Sequence, residues 1–400
     1  MLPLVLSLSL TAPAAPPTFL VSGTGEETQT GTLTAISLPL GAQVATPDGA
    51  KTVKGLISVR RTDVRVPALP VGPQLLTTAG DRIPGTAAGG DAKVLKFQPD
   101  ASDEPWPIPH SDFAIAAVWF TAQPADTPTD PGKYAWLTGT PQRDVLLYRN
   151  GDSSRGALTA FTDDGANFKP DDGAAREVPF KDLAAVGFNP RFARARKPKG
   201  PYAHLVLTDG TRLNVTDPAV QDGALIAKLV CAPKVEVAVP LSKLVSLDVF
   251  QGGAVYLSDL TPKRAETTGY LGAGWPWAAD RTVRGRPLRL LAKTGEFTAD
   301  KGLGTHPKTV LTYDLAGKFS RFEALVGLDA ATGKRGRADV RVLLDGKEVE
   351  LPALKTLAAG PALPVRVDVR RAKELALVID FGPTGDVEAD VNWADARLVE

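Results

Sequence analysis

Two tryptophans one residue apart, Trp275 and Trp277, stand in the Gly- and Pro-containing stretch GAGWPWAAD that runs from Gly272 to Asp280. An indole held on a turn offers a flat apolar face. Such a face, joined by a few polar side chains, suits recognition of a pyranose ring, whose apolar side stacks while its hydroxyls hydrogen-bond. Asp280 closes the same stretch, and His306 ends the glycine-rich run Gly302 to His306, where a turn would present a polar side chain. Trp275, Trp277, Asp280 and His306 are therefore the candidate ligand-binding residues. Each indole also has a structural alternative as a plug at a sheet edge, and His306 has one as a hydrogen bond inside its own turn. Trp393, in what reads as the last strand, is expected in a core.

Catalytic signatures are few. The three histidines, His110, His204 and His306, are scattered and lack close ligand spacing. The chain contains no Gly-x-Ser-x-Gly elbow, no His-Glu-x-x-His and no P-loop. A glycosidase needs two carboxylates across the scissile bond, and among 45 acidic residues the sequence nominates no pair. Asp163-Asp164 and Asp171-Asp172 read as solvated turns. No catalytic residue is assigned. No dense Asp/Asn/Gly loop marks a calcium site of carbonyls and carboxylates, so a structural calcium stays open and no other cofactor is implied. The lone Cys231 excludes an intrachain disulfide and a cysteine-based zinc cluster, and reads as a small buried residue.

The elements that must position these residues are strands. Glycine (38) and proline (34) are too frequent for a helical protein of 400 residues and fit many short strands joined by turns. That length calls for two or three domains. With 46 basic against 45 acidic residues, the net charge of +1 points to no nucleic acid and no charged membrane surface. The five cations between Arg191 and Lys199 read as a solvated hairpin tip rather than an anion site. At the N-terminus, Leu2 to Leu10 is apolar and Ala12-Pro13-Ala14 suits signal-peptidase cleavage, although no Lys or Arg precedes Lys51. Residues 1–15 are expected to be a signal peptide, and the protein to be secreted or periplasmic. No stretch is long and apolar enough for a transmembrane helix.

Residues 20–252 repeat loosely. In the third copy, Leu146 to Asp152 is followed by Gly156 to Phe161 and by Val178-Pro179 leading to Phe188. The fourth copy has Leu205 to Gly210 and Val239-Pro240, and the second has Leu75-Leu76, Gly80-Asp81 and Ile108-Pro109. The first keeps Gly31 to Ile36 and Leu56 to Val59 without the Val-Pro. Each copy reads as a strand, a tight turn, a second strand, a polar loop, and a final strand opened by Val-Pro. Such units are small and should pack on one another, as small barrels of Sm-like or SH3-like pattern or as packed sheets. The linker Gln123 to Gly132 divides them into pairs at 20–122 and 133–252.

After Gly253 the strands alternate cleanly. Phe322, Ala324, Val326 and Leu328 share one face, Val340, Val342 and Leu344 precede the Asp345-Gly346 turn, and Val365, Val367 and Val369 repeat the rhythm. This predicts a two-sheet antiparallel sandwich over residues 253–400. The region carries, in order, Tyr256 to Leu260, Trp275-Pro276-Trp277 with Asp280, Gly302 to His306, Tyr313 to Leu315, Phe319 to Phe322, Val326 to Asp329, Val340 to Gly346, Ala372 to Leu375 and Asn392 to Leu398. In that order it resembles the NPCBM carbohydrate-binding module associated with glycoside hydrolase family 98. The repeats are similar to those of uncharacterised extracytoplasmic bacterial proteins and imply no activity. The resemblance implies an all-β chain that ends in a galactose-binding-like jelly roll, with carbohydrate or a glycosylated surface as partner. The alternatives are a structural or protein-interaction protein without a sugar site and, last, a glycan-active hydrolase.

Overall fold

The computed structural model describes residues 16–400 apart from 26, 39–40, 123–135, 138–141, 195–197, 270–271, 273, 294 and 333. The expected signal peptide, the linker Gln123 to Gly132 and two of the five cations of the basic run, Arg196 and Lys197, lie outside the described residues.

The chain is all-β. Strands β1 (Phe19–Gly23), β2 (Thr28–Ser37), β3 (Gly41–Thr46), β4 (Gly49–Lys54) and β5 (Leu56–Arg61) make a first five-stranded unit. Strands β6 (Gln74–Thr77), β7 (Arg82–Gly90), β8 (Val94–Pro99), β9 (Trp106–Pro109) and β10 (Ile115–Trp119) make a second. Strands β11 (Asp144–Tyr148), β12 (Ser153–Phe161), β13 (Gly165–Pro170), β14 (Arg176–Pro179) and β15 (Leu183–Gly187) make a third. Strands β16 (Tyr202–Leu207), β17 (Arg212–Gln221), β18 (Ala224–Leu229), β19 (Glu236–Pro240) and β20 (Leu244–Phe250) make a fourth. In every unit the fifth strand returns antiparallel beside the first, giving the order 5-1-2-3-4. The second strand of each is bulged, between Leu33 and Ala35, Ala87 and Gly90, Leu158 and Ala160, and Thr216 and Ala219. A bulge adds twist and bends its strand, which curls each ladder over its own apolar side. Gly31, Gly85 and Gly156 occupy matching places in β2, β7 and β12, and at each a Cβ would stand 2.1 Å from a carbonyl oxygen of the neighbouring strand. That close approach explains why glycine recurs there.

The units pair out of sequence order. Ser246, Leu247 and Asp248 of β20 lie opposite Arg60, Val59 and Ser58 of β5, which joins the fourth unit to the first. Ala117, Val118 and Trp119 of β10 lie opposite Gly187, Val186 and Ala185 of β15, which joins the second to the third. In three of the units a proline, Pro109, Pro179 or Pro240, closes the fourth strand instead of opening the fifth. A proline cannot donate to a ladder, so those three fourth-strand edges are blunted and the fifth strands are left to pair, although the fourth strand of the first unit, Gly49–Lys54, carries no proline. One apolar core, from Phe19 and Val21 through Phe97, Phe168 and Leu213 to Leu247, runs through all four units.

From Ala254 the chain forms a β-sandwich. One sheet orders Ala278–Ala279, Gly302–Thr305, Val391–Val399, Arg321–Leu328 and Leu363–Asp368, with Ala254–Tyr256 also paired to Val391–Val399. The other orders Arg264–Thr267, Thr309–Asp314, Glu374–Phe381, Arg337–Leu344 and Lys347–Glu348. Between them Phe322, Val326, Val340, Val342, Leu377, Ile379 and Trp393 are buried. The hairpin Leu288–Ala292 with Gly295–Ala299 stands apart from both sheets.

The sandwich is tied to the repeats through buried polar contacts. Ile57, Ala254 and Val399 form a small apolar seam. Beside it the Arg321 guanidinium donates to the carbonyls of Gly23 and Thr24 at 2.9 and 2.6 Å. Arg60 pairs with Asp248 at 2.6 Å and with Asp395 at 3.5 Å. Asp300, from the sandwich, accepts from Arg212 Nε at 2.6 Å and faces His204 Nε2 at 3.4 Å. His204 Nδ1 donates to Asn214 Oδ1 at 2.9 Å, and Asn214 in turn donates to the buried Asp81 through its backbone N–H at 2.7 Å and its side-chain amide at 2.8 Å. With Asn214 accepting from Nδ1 and Asp300 facing Nε2, the protonated form of His204 is favoured: burial pulls its pKa down, but Asp300 and Asn214 outweigh burial and raise it. Burial pushes the Asp300 carboxyl up, and Arg212 and His204 overcome that and hold it well below the usual range.

A histidine with a raised folded pKa adds stability that is complete below the unfolded value of about 6.5 and is lost as pH rises through the folded value. The melting-temperature advantage of the wild-type chain over His204→Gln should therefore be largest in the acid part of a series from about pH 5.5 to 8.5 and shrink towards the alkaline end. A constant difference across the series would show that His204 is not held charged.

Candidate functional site

The sandwich presents one constellation of aromatic and charged groups at the end where Gly302–Thr305 meets Val391–Val399. Its base is Asp390, only 1% exposed. A buried carboxylate is costly without a cation, and Arg284 supplies one, its Nε donating to Asp390 Oδ2 at 2.6 Å. The same guanidinium lies 5.1 Å above the Trp275 ring, within the range of a cation–π contact. His306 completes the group. Its Nδ1 donates to the Pro307 carbonyl at 2.7 Å, which fixes that proton and turns Nε2 towards Asp390 Oδ1 at 3.6 Å. The imidazole and the Trp275 indole have centroids 6.2 Å apart.

Local packing makes this arrangement. Gly304 sits where a Cβ would be 2.3 Å from the Arg281 carbonyl, so the strand leading to His306 presses directly on the loop that carries Arg284. Asn392 follows Asp390 along the last strand, and its amide donates to the Arg289 carbonyl at 3.1 Å. Asp390 Oδ1 and Asn392 Oδ1 are buried with no protein donor within hydrogen-bonding distance. Burial raises the carboxyl pKa of Asp329, and the nearby Asp390 adds to that rise; the Asp329 backbone N–H donates to the Asp390 carbonyl at 2.9 Å.

The four residues singled out in the sequence part company here. Trp275 is 42% exposed and stands with His306, which is buried. Trp277, two residues on, is half-buried and packs against the sandwich interior. Asp280 takes a left-handed conformation (φ 57°) and turns away to accept from Lys301 Nζ at 2.7 Å and from the Gly302 N–H at 3.1 Å, with Lys301 also reaching Asp259 at 2.9 Å. Trp393 is fully buried. Arg284 and Asp390 were not singled out. The available signal was the strand-period placing of Asp390 and Asn392 around Val391 and Trp393, two polar residues in a strand that must be covered. The other histidines are elsewhere: His204 is at the seam with the repeats, and His110 packs edge-on to Phe161 and holds the Asp91 carbonyl at 3.1 Å. Among the described residues no group of three or more His, Cys, Asp or Glu side chains could hold a metal ion, and no helix is long and apolar enough to cross a membrane.

The family model NPCBM/NEW2 domain matches residues 253–399, the whole sandwich. These residues form an NPCBM-like carbohydrate-binding domain. The chain is also similar, at 30% identity over 116 residues, to a Renibacterium salmoninarum protein named "Putative endo-alpha-N-acetylgalactosaminidase". That stretch is 29% of this chain, and the chain spans 7% of the relative's length. Among solved structures, a CBM51 from Clostridium perfringens GH95 in complex with methyl-galactose is 27% identical, with 36% of this chain and 99% of that one covered and a TM-score of 0.34. CBM51-2 and INT domains from Clostridium perfringens ZmpB, in complex with GlcNAc, are 22% identical over 49% of this chain and 43% of that one, with a TM-score of 0.34.

The NPCBM-like domain thus offers an exposed ring backed by fixed charges, a surface that can stack an apolar face and hydrogen-bond hydroxyls. Its two classes of tryptophan should separate in a denaturant titration. Trp275→Ala should change stability by no more than about 0.5 kcal/mol, as an exposed side chain does. Trp393→Ala should cost about 3–5 kcal/mol, the penalty for emptying a core site of that size.

Proposed function

We propose that the protein is an exported, non-catalytic glycan-binding protein whose sandwich takes sugar at Trp275. The observation that carries this reading is the exposed Trp275 indole fixed by Arg284, which is itself anchored on the buried Asp390. An aromatic ring locked in place before binding loses little side-chain entropy on contact, and Arg284 has N–H groups beyond those it gives to Asp390 to offer a hydroxyl. The match of residues 253–399 to a carbohydrate-binding family supports the same ligand class. The apolar run Leu2 to Leu10 and the small residues after it support export. We read the four repeat units as small barrel-like bodies that serve as a rigid support, because their seam with the sandwich is built from buried, paired charges.

A glycan array probed with the full chain tests this. Binding to at least one pyranoside-bearing glycan is expected, and Trp275→Ala should weaken it at least about tenfold, the effect of losing one stacking and hydrogen-bonding anchor. Absence of binding to every glycan, or normal binding by the variant, would overturn the reading.

A further inference from the structure

A cavity lies where the sandwich rests on the repeats. It has a volume of about 370 Å³, within the size range of small-ligand sites, which favour domain interfaces. Its floor is the β5–β20–β16 ladder. Val206 of β16, Ser246 of β20 and Arg60 of β5 stand side by side in register across it, and the next pair, His204 and Asp248, also lines the cavity. Its roof is the detached hairpin Leu288–Ala292 with Gly295–Ala299, which contributes Ala292 and Phe297. Leu325 and Asp395 close one side.

The lining combines an apolar wall with fixed polar groups. Val64, Val66, Val206, Phe297 and Leu325 supply the wall. Arg60, Arg65 and Lys301 stand against Asp248, Glu296, Asp300 and Asp395, with Arg212 behind Asp300. With Arg212 counted, four permanent cations face four carboxylates, and His204 adds a further positive charge when protonated, so the lining carries no strong net sign for an ionic ligand. A neutral ligand meets both donors and acceptors. Most of these groups are already committed: Asp300 to Arg212 and His204, Asp248 to Arg60 and to the Tyr256 hydroxyl, and Lys301 to Asp259 and Asp280. Asp395 is the exception. It projects from a left-handed residue (φ 51°), and its cation partner is Arg60 at 3.5 Å. Burial raises its carboxyl pKa, with Arg60 opposing and Asp248 adding to the rise. Asp395 therefore keeps acceptor capacity that a hydroxyl can fill beside the Arg60 pair, and a hydroxyl bond to a carboxylate is stronger than one between two neutral groups.

We infer that this junction is a second saccharide site, which takes one neutral pyranose residue between Val206 on the floor and Phe297 on the roof, with Leu325 at its edge and its hydroxyls on Asp395 and Arg60. The site belongs to neither half alone, because its floor comes from the repeats and its roof from the sandwich. It is separate from the Trp275 constellation, which is made within the sandwich.

The test uses the full chain and saturation-transfer NMR with methyl galactoside and methyl N-acetylglucosaminide as probes. Three variants are compared with wild type: Trp275→Ala, Ala292→Trp, which fills the cavity with an indole, and Asp395→Asn, which keeps the side-chain shape and tolerates the left-handed backbone. Trp275→Ala should retain transfer to at least one probe. Adding Ala292→Trp to it should abolish that remaining signal, and adding Asp395→Asn instead should weaken probe affinity at least about fivefold. Loss of all transfer in Trp275→Ala alone would overturn the junction site and leave the sandwich site standing. Retained transfer in the Trp275→Ala, Ala292→Trp pair, with the protein folded, would also overturn it. Unchanged transfer in Trp275→Ala together with total loss in Ala292→Trp would do the reverse, upholding the junction and removing the sandwich site.

Discussion

Asp300 belongs to the sandwich, yet its carboxylate is spent on Arg212 and His204 of the fourth repeat unit. A carboxylate shielded from water is tolerable only with cations in place, and removing one partner of such a pair costs about 3–5 kcal/mol although the intact pair adds little net stability. Its consequence is orientation. Arg60 to Asp248 and Asp395, and Arg321 to the carbonyls of Gly23 and Thr24, impose the same demand from two further directions. With three such contacts around the seam of Ile57, Ala254 and Val399, the sandwich has one way to sit on the repeats, and the cavity between them inherits a fixed shape.

The network extends inward from there. His204 passes the constraint to Asn214, and Asn214 to Asp81, which also accepts from the Thr77 hydroxyl at 2.5 Å. Asp81 lies in the second unit and Asn214 in the fourth, units whose ladders otherwise touch only where Arg82 faces Arg212. Polar groups thus join, alongside the shared apolar core, what the fifth-strand pairings leave apart. At the far end of the sandwich the burial is the other way round: the buried Asp390 holds the half-exposed Arg284 and, through it, the exposed Trp275, whereas at the junction the buried Arg212 holds the more exposed Asp300.

Much of the strand architecture was legible because it rests on period-two alternation and turn residues. Val340, Val342 and Leu344 before Asp345-Gly346 read directly as a strand and hairpin, and Arg337–Leu344 turning back into Lys347–Glu348 is that element. The glycines Gly31 and Gly156 signalled matching positions because a side chain has no room there. What stayed hidden depends on contacts distant in sequence. Nothing local says that β5 will pair with β20, since the two strands are brought together from opposite ends of the repeat region. The Trp275 indole was legible as a residue type in a turn, whereas its setting was not: Arg284 and Asp390 are 106 positions apart. Asp280 carries the right chemistry for a ligand, but its direction is set by Lys301, and a carboxylate's choice between a lysine and solvent is not written in its neighbours.

The β5–β20 ladder bears on how the molecule comes into being. A first unit ending at Arg61 and a fourth ending at Phe250 must find each other across nearly the whole repeat region. During synthesis the first unit therefore emerges with its fifth-strand edge unmet and stays so until some 190 further residues have been made, as the register of Arg60 with Ser246 requires. Long-range pairings of this kind slow folding and leave strands open to wrong partners. An early segment that waits so long for its mate stays open to wrong partners until the fourth unit is made, and the sandwich, which follows that unit in the chain, then has a closed seam to settle on.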